Sequence, residues 1–435
     1  MNTKRVKQIL EQINTLPIID VHSHIKWQAP NARNIGDMLS YHFYNELVNS
    51  AVPHDRSFPF EDRRELARRL IPNLHWIANT IQYDWLMTMS REYFGIAPSE
   101  WRAENWERIF DRSEEVLNAS GWREHLLTKY NIQLTATQNH FDENLDGMDT
   151  SLFRPTLRID NIALMRDPSH NGPGLMGDGI AAYLGRPLRT TKDAGELITR
   201  CFRYFMEHQM ACVSIAYPAE LGTVAVSELE AQRLLDSMVD GREWSAVERE
   251  AWASYVLSTF CDACRKHRKP FYFMFGVSRD AYKHGVWAGN SLFDAVNSMR
   301  KYEYLLNAYP DVSFPMACMS DTNFLELAAA GWVRHNVFPA GLWWFTNNPG
   351  DIQRETRRRI DIMPRNKCIG CFSDAYFLED ILPKYNMYRF ELAVVLAERM
   401  ERSQIHPNME PFTLNDALAL AEDLLVNNPR RLFGL

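Results

Sequence analysis

Short apolar runs alternate with stretches of helical periodicity along most of this chain. The runs fall at 17–22, Asn131–Thr137, Pro155–Ile159, Ala211–Ile215, Pro270–Phe275, Val312–Met316, Val337–Leu342 and Lys367–Phe372. Each is too short for a helix and carries few turn formers, the pattern of a parallel strand covered on both faces. Eight such strands separated by helical stretches predict an α/β fold, a closed (β/α)8 TIM barrel rather than an open doubly wound sheet. No G-x-G-x-x-G turn or P-loop follows any of them, so no nucleotide cofactor is expected.

The spacing is uneven in one place. Between the first and second strands lies an insertion over 25–130, which holds Trp27, Trp76, Trp85, Trp101, Trp106 and Trp122, half of the twelve tryptophans. Segments such as 61–71 repeat apolar residues at helical spacing, so the insertion reads as a helical subdomain with its own small core. Loops that follow strands lie at the catalytic face of a barrel, which places this subdomain over the mouth. One barrel domain over 1–435 accounts for the rest.

Composition narrows the partners. A chain that is 46% hydrophobic and 12% aromatic can bury a large core. Its net charge of −7 gives no basis for binding nucleic acid or an anionic membrane, so a small molecule recognised in a pocket is the expected partner. The basic amino end lacks the apolar core of a signal peptide and no run is long enough to span a bilayer, so cytoplasmic residence is expected. Seven cysteines, an odd number, point to reduced thiols. The C-x-x-C pairs Cys261/Cys264 and Cys368/Cys371 read as buried thiols rather than a zinc site.

The chemistry concentrates at the ends of the first and last strands. His22 and His24 are two apart behind the run Ile18-Ile19-Asp20-Val21, so both imidazoles project from one strand face. Taken alone, such a pair also fits one core histidine and one loop histidine. The last strand leads into Ser373-Asp374, and the first and eighth strands of a closed barrel are neighbours. Asp374 alone would suit a helix cap. Together the three residues form a ligand set for one divalent metal ion, zinc or a similar first-row ion, with open positions for water or substrate.

Asp20-x-His22-x-His24 on the first strand with an aspartate on the eighth resembles the amidohydrolase superfamily, whose fold is the metal-dependent hydrolase type of TIM barrel. The details resemble its uronate isomerase branch: Tyr41-His42 in the loop after the first strand, Arg158-Ile159-Asp160, the segment Gly341-Leu342-Trp343-Trp344-Phe345-Thr346-Asn347-Asn348-Pro349, and Asn428-Pro429-Arg430-Arg431-Leu432-Phe433. The likeness runs along nearly the whole chain. It implies a homo-oligomeric enzyme that interconverts an aldose uronate such as glucuronate with its ketose through an enediol. It further implies that His22, His24 and Asp374 hold the metal, that Asp374 moves a proton, and that His42 bonds sugar hydroxyls or shares the acid/base work. Arg158, followed by Asp160, would anchor the substrate carboxylate, and Tyr41 and Trp343 or Trp344 would line the sugar.

Two departures stand out. Phe43 occupies the place where the family usually has tyrosine, and Tyr376, at a catalytic position, the place where it usually has arginine. A phenol does not supply the fixed charge of a guanidinium. A mononuclear hydrolase or decarboxylase acting on another carboxylate therefore stays open, as does a sugar-acid binding protein without activity. A binuclear hydrolase is disfavoured, since the fourth, fifth and sixth strands carry neither the bridging lysine nor the histidines it would use.

Overall fold

Seven of the eight expected barrel strands form a parallel sheet in a computed structural model that describes residues 2–40, 45–51, 60–165, 177–239, 242–286 and 289–435. They are β1 (Ile18–Ser23), β2 (Ile132–His140), β3 (Phe153–Arg158), β4 (Val213–Pro218), β5 (Phe271–Ser278), β7 (Phe314–Cys318) and β8 (Val337–Pro339). Their order in the sheet, β1-β2-β3-β4-β5-β7-β8, is the chain order of a barrel. A two-residue strand that the apolar pattern does not reveal, β6 (Leu292–Phe293), pairs antiparallel with the end of β5. β1, β4 and β7 are buried at every residue, as their unbroken apolar character requires.

The eighth strand departs from expectation. Instead of a regular strand at 367–372, a 3-10 turn spans Arg365–Lys367 and the extended segment after it joins β8 through the single parallel bridge Ala340–Ile369. Ile369 N donates to Pro339 O at 3.0 Å and Gly341 N to Ile369 O at 3.0 Å. Gly370 then leaves the ladder, its N–H going to Leu424 O at 2.9 Å. The reason is packing: a Cβ on Gly370 would lie 2.7 Å from the Tyr388 hydroxyl, so the helix Ile381–Ile405 rests directly on this backbone. On the other edge Asp374 N donates to His22 O at 3.0 Å and His24 N to Ala375 O at 2.7 Å, which closes the barrel onto β1.

Side chains such as Ala136, Tyr272, Met274, Ala317, Phe338 and Phe372 form an inner cluster separate from the larger core under the helices. Phe433 joins it from below, its ring 6.0 Å from that of Tyr272. Asn428 explains the sequence of the last helix, since its amide donates to Arg365 O and Cys368 O, both at 2.8 Å, and steers the closing segment upward. All seven cysteines are free, and burial raises the thiols of Cys261, Cys264, Cys368 and Cys371 above their ordinary value. Among the described residues no helix is long and apolar enough to cross a membrane.

Between β1 and β2 the described chain is helical, with helices at Ile35–Leu39, Arg63–Leu70, Ile81–Met89, Trp106–Leu117 and Trp122–Lys129. Glu379, fully buried beyond the closing segment, ties this region to the barrel. Its Oε1 accepts from Asn31 Nδ2 at 2.9 Å and Trp122 Nε1 at 2.8 Å, and its Oε2 from Ala32 N at 3.1 Å. Burial outweighs these donors and pushes the Glu379 carboxyl up to about 7. A carboxyl raised on folding favours the folded state most below its unfolded value and loses that contribution as pH rises through the folded one. Glu379→Gln should therefore gain stability relative to the parent as pH rises from about 5 to 8, by at most about 1.4 kcal/mol per pH unit for one group. Urea unfolding across that range measures it, and a constant difference between the two proteins would contradict it.

Candidate functional site

The ladder that closes the barrel also assembles the site. His22 sits within β1 and His24 just past its end, and their backbones bond to Asp374 and Ala375, so three side chains from opposite ends of the chain meet at one point. His22 Nε2 and His24 Nε2 each lie 3.3 Å from Asp374 Oδ1. One ligand atom from each residue falls within 4.8 Å of the others, and His22 and Asp374 are buried.

Asp374 adopts a left-handed backbone with φ +51°, uncommon for a residue with a side chain. Several contacts hold it there. Lys384 Nζ donates to its carbonyl oxygen at 3.1 Å, and Trp344 Nε1 donates to Oδ2 at 3.1 Å from a residue that is itself left-handed at φ +43°. Below it, Asp20 Oδ1 accepts from Ser373 N at 2.8 Å, and Oδ2 accepts from the Ser373 hydroxyl and from Thr135 Oγ1. Burial pushes the Asp20 carboxyl up to about 6 against these donors.

The donor set fits a divalent ion. Asp374 Oδ1 is buried without a hydrogen-bond partner, an expensive condition for a carboxylate oxygen unless a cation meets it. Ligand atoms each about 2.0–2.2 Å from zinc lie roughly 3.0–3.6 Å apart, and the imidazole–carboxylate separations fall in that range. Burial pushes His24 down to about 4, so its imidazole is neutral at neutral pH, as a ligand must be. Burial also opposes ionisation of Asp374, but the two imidazoles, each 3.3 Å from Oδ1, outweigh it and hold the carboxyl well below its ordinary value.

Gln138, on β2, orients His22. Its amide lies 3.1 Å from His22 Nδ1, and its Oε1 accepts from Ser214 Oγ at 2.6 Å. An imidazole that ligates through Nε2 carries its proton on Nδ1, so a ligating His22 would need the Gln138 amide in the orientation that accepts from His22 and donates to Ser214.

The other expected residues are placed as follows. Tyr376 stacks on His24, with ring centroids 5.1 Å apart and planes 21° apart. Arg158 ends β3 and is gripped by Asp160, Nε to Oδ2 at 3.0 Å and Nη2 to Oδ1 at 3.1 Å, a bidentate pair at the barrel rim. Burial opposes the Arg158 charge, but Asp160 outweighs it and raises the guanidinium, with smaller contributions from Tyr376 and Asp374. Trp343 is only 4% exposed and packs in the inner cluster, whereas Trp344 reaches the triad. Tyr41 and His42, with Phe43, lie outside the described residues.

Beside the triad opens a cavity of about 420 Å³, lined by Asp374, Lys384, Trp344, Trp85, Asn45 and Glu46 among others. Helical residues of the region after β1 thus face the loop after β8 across it. A second cavity of about 470 Å³, bordered by Arg365, Met409 and Leu424, touches none of the triad. Gln138 and Lys384 were not singled out by sequence, and Asp20 and Trp344 were named only as part of the motif and as one of two candidate walls of the sugar site. Asp20 stands in the Asp-x-His-x-His run and Trp344 beside Trp343, but nothing local marks Gln138 or Lys384.

No family model matches the chain. The uronate isomerase of Corynebacterium efficiens is 22% identical over 465 aligned residues, covering 99% of this chain and 95% of that protein. The likeness to uronate isomerases spans the whole chain. Among solved structures, uronate isomerase from Thermotoga maritima superposes with a TM-score of 0.85 at 16% identity, covering 99% of this chain and 97% of the other. Glucuronate isomerase from Caulobacter crescentus gives a TM-score of 0.85 at 19% identity, covering 99% and 94%. These likenesses show the (β/α)8 barrel.

Purified protein should hold one divalent ion per chain, and His22→Ala and Asp374→Asn should each lose it by elemental analysis. Gln138→Leu should keep the fold and weaken metal affinity about 10–100-fold. Unchanged stoichiometry in both ligand variants would exclude the site.

Proposed function

We propose that this chain is a metal-dependent aldose–ketose isomerase acting on a hexuronate such as glucuronate. The observation that carries the reading is the buried, unpartnered Asp374 Oδ1 between two imidazoles, beside a cavity large enough for a sugar acid, in a chain similar over its length to uronate isomerases.

The reaction moves the C2 proton to C1 and the O2 hydroxyl proton to O1, so that the aldehyde becomes a hydroxyl and C2 the carbonyl. It needs a base, an acid, and a partner for the negative charge on the enediolate. His22, His24 and Asp374 would hold one divalent ion, zinc in this reading, which when bound polarises a sugar oxygen. Trp344 fixes one carboxylate oxygen of Asp374, and the two imidazoles keep the carboxylate ionised, so that it can accept a proton from the substrate. His42, and Tyr41 beside it, supply the second proton-transfer group and hydroxyl contacts. Tyr376 and Trp343 set the ring of His24 and the floor of the site.

Arg158 is assigned to the substrate carboxylate. Its Nε and Nη2 bond to Asp160, which leaves Nη1 to donate and fixes the plane of the guanidinium. Because Asp160 already balances the charge, losing this contact should cost about 2 kcal/mol, the lower end for a buried charged contact. Arg158→Gln should then weaken a hexonate far more than the matching alditol in calorimetric titration. Equal losses would make Arg158 a structural residue.

The direct test is turnover of a panel of uronates by metal-loaded protein, with exchange of the C2 proton followed in deuterated solvent. Isomerisation with solvent exchange at C2 is expected. Hydrolysis or decarboxylation of a related acid without that exchange would replace the reading, and tight binding without any turnover would reduce it to a binding protein.

A further inference from the structure

Lys384 lines the cavity beside the triad and forms no direct ion pair with a carboxylate among the described residues. It stands in the first turn of the helix Ile381–Ile405 and is only 6% exposed. Its ammonium lies 5.3 Å from the centre of the Trp85 ring and uses one of its three N–H donors on the Asp374 carbonyl oxygen at 3.1 Å. No described carboxylate forms an ion pair with it, whereas the buried Arg359 is matched by Glu355 and the half-buried Arg158 by Asp160. The carboxylates that balance it, Asp374, Asp380 and Asp20, act without a direct ion pair, so this buried ammonium can take a closer anionic partner. The cavity of about 420 Å³ that Lys384 and Asp374 both line is where a counter-ion fits, and Arg158 does not line it. Its other polar walls are mainly amides, including Asn45, Gln82, Asn347 and Asn348, with the carboxylate of Glu46 on the side of the region after β1. Amides suit hydroxyl groups, and the lysine suits an anionic oxygen.

We propose that Lys384 Nζ holds an anionic oxygen of the ligand that fills this cavity, either the carboxylate of a sugar acid, which it would then take in place of Arg158, or the enediolate oxygen formed at its reacting end. The assignment rests on the sugar-acid isomerase reading above. It supplies from the helix after the closing segment the positive charge that Tyr376 does not carry.

The test compares Lys384→Met and Lys384→Arg with the parent, after elemental analysis and thermal melting show the metal and fold retained. If the oxygen is the carboxylate, Lys384→Met should weaken a hexonate at least tenfold while leaving the matching alditol unchanged, with KM raised more than kcat is lowered. If it is the enediolate, hexonate binding should persist while kcat falls at least tenfold at constant KM. In either case Lys384→Arg should recover part of the loss. Unaltered binding and turnover in Lys384→Met would overturn the assignment and leave the isomerase reading intact. A parent protein that neither binds nor converts any sugar acid would overturn both. Should the methionine variant fail to fold, acetylation of Lys384 in the parent, read by peptide mass spectrometry, decides the matter. Hexonate or its hydroxamate should slow it at least tenfold, and protection by neither would refute the proposal.

Discussion

Two backbone hydrogen bonds across the seam between β1 and the closing segment organise everything around the site. Asp374 N to His22 O and His24 N to Ala375 O seal the barrel and set three potential ligands at one point. The seam is held from beneath by Asp20, whose buried carboxylate gathers the Ser373 amide and hydroxyl and Thr135. Together with Lys384 and Trp344, that anchor opposes the strain of the left-handed turn at Asp374. The role of Asp20 is positioning: it touches the backbone that carries the ligand, not the ligand atoms.

Polar groups inside the barrel hold one another in place. Ser214 and Gln138 fix one imidazole, Tyr376 stacks on the other, and Trp344 takes one carboxylate oxygen so that the second is turned toward the histidines. Preorganisation of this kind lets a site stabilise charge without reorganising as charge develops. Burial supplies the low dielectric that makes these contacts count, and it also keeps His24 neutral. The balance of buried charge is uneven across the mouth. Arg158 is matched by Asp160 on one side, whereas Lys384 faces open volume on the other.

Much of the barrel was legible because a parallel strand buried on both faces must be apolar almost throughout, and β1, β4 and β7 are. The eighth strand was legible as an apolar run but not as an irregular one, since Gly370 leaves the ladder only because the helix carrying Tyr388 presses on it. The β6 pair escaped notice because two residues make no pattern. Gln138 lies in a run read as ending at Thr137, while β2 extends to His140, so its contact with His22 had no local trace.

The sequence by itself determined the alternation of strands and helices and the shared face of His22 and His24, because burial on two faces and a two-residue period are local properties of the chain. Through barrel topology it also placed Asp374 near them, since the first and last strands of a closed barrel must be neighbours. Only the tertiary structure decided which oxygen of Asp374 is left unpaired, that Arg158 is closed by Asp160 and that Lys384 is not closed by any described carboxylate. Those facts depend on backbone angles and on side chains from distant segments meeting within about 3 Å, the reach of a hydrogen bond. A hydrogen bond between such segments has no period along the chain, and so it leaves no pattern to read.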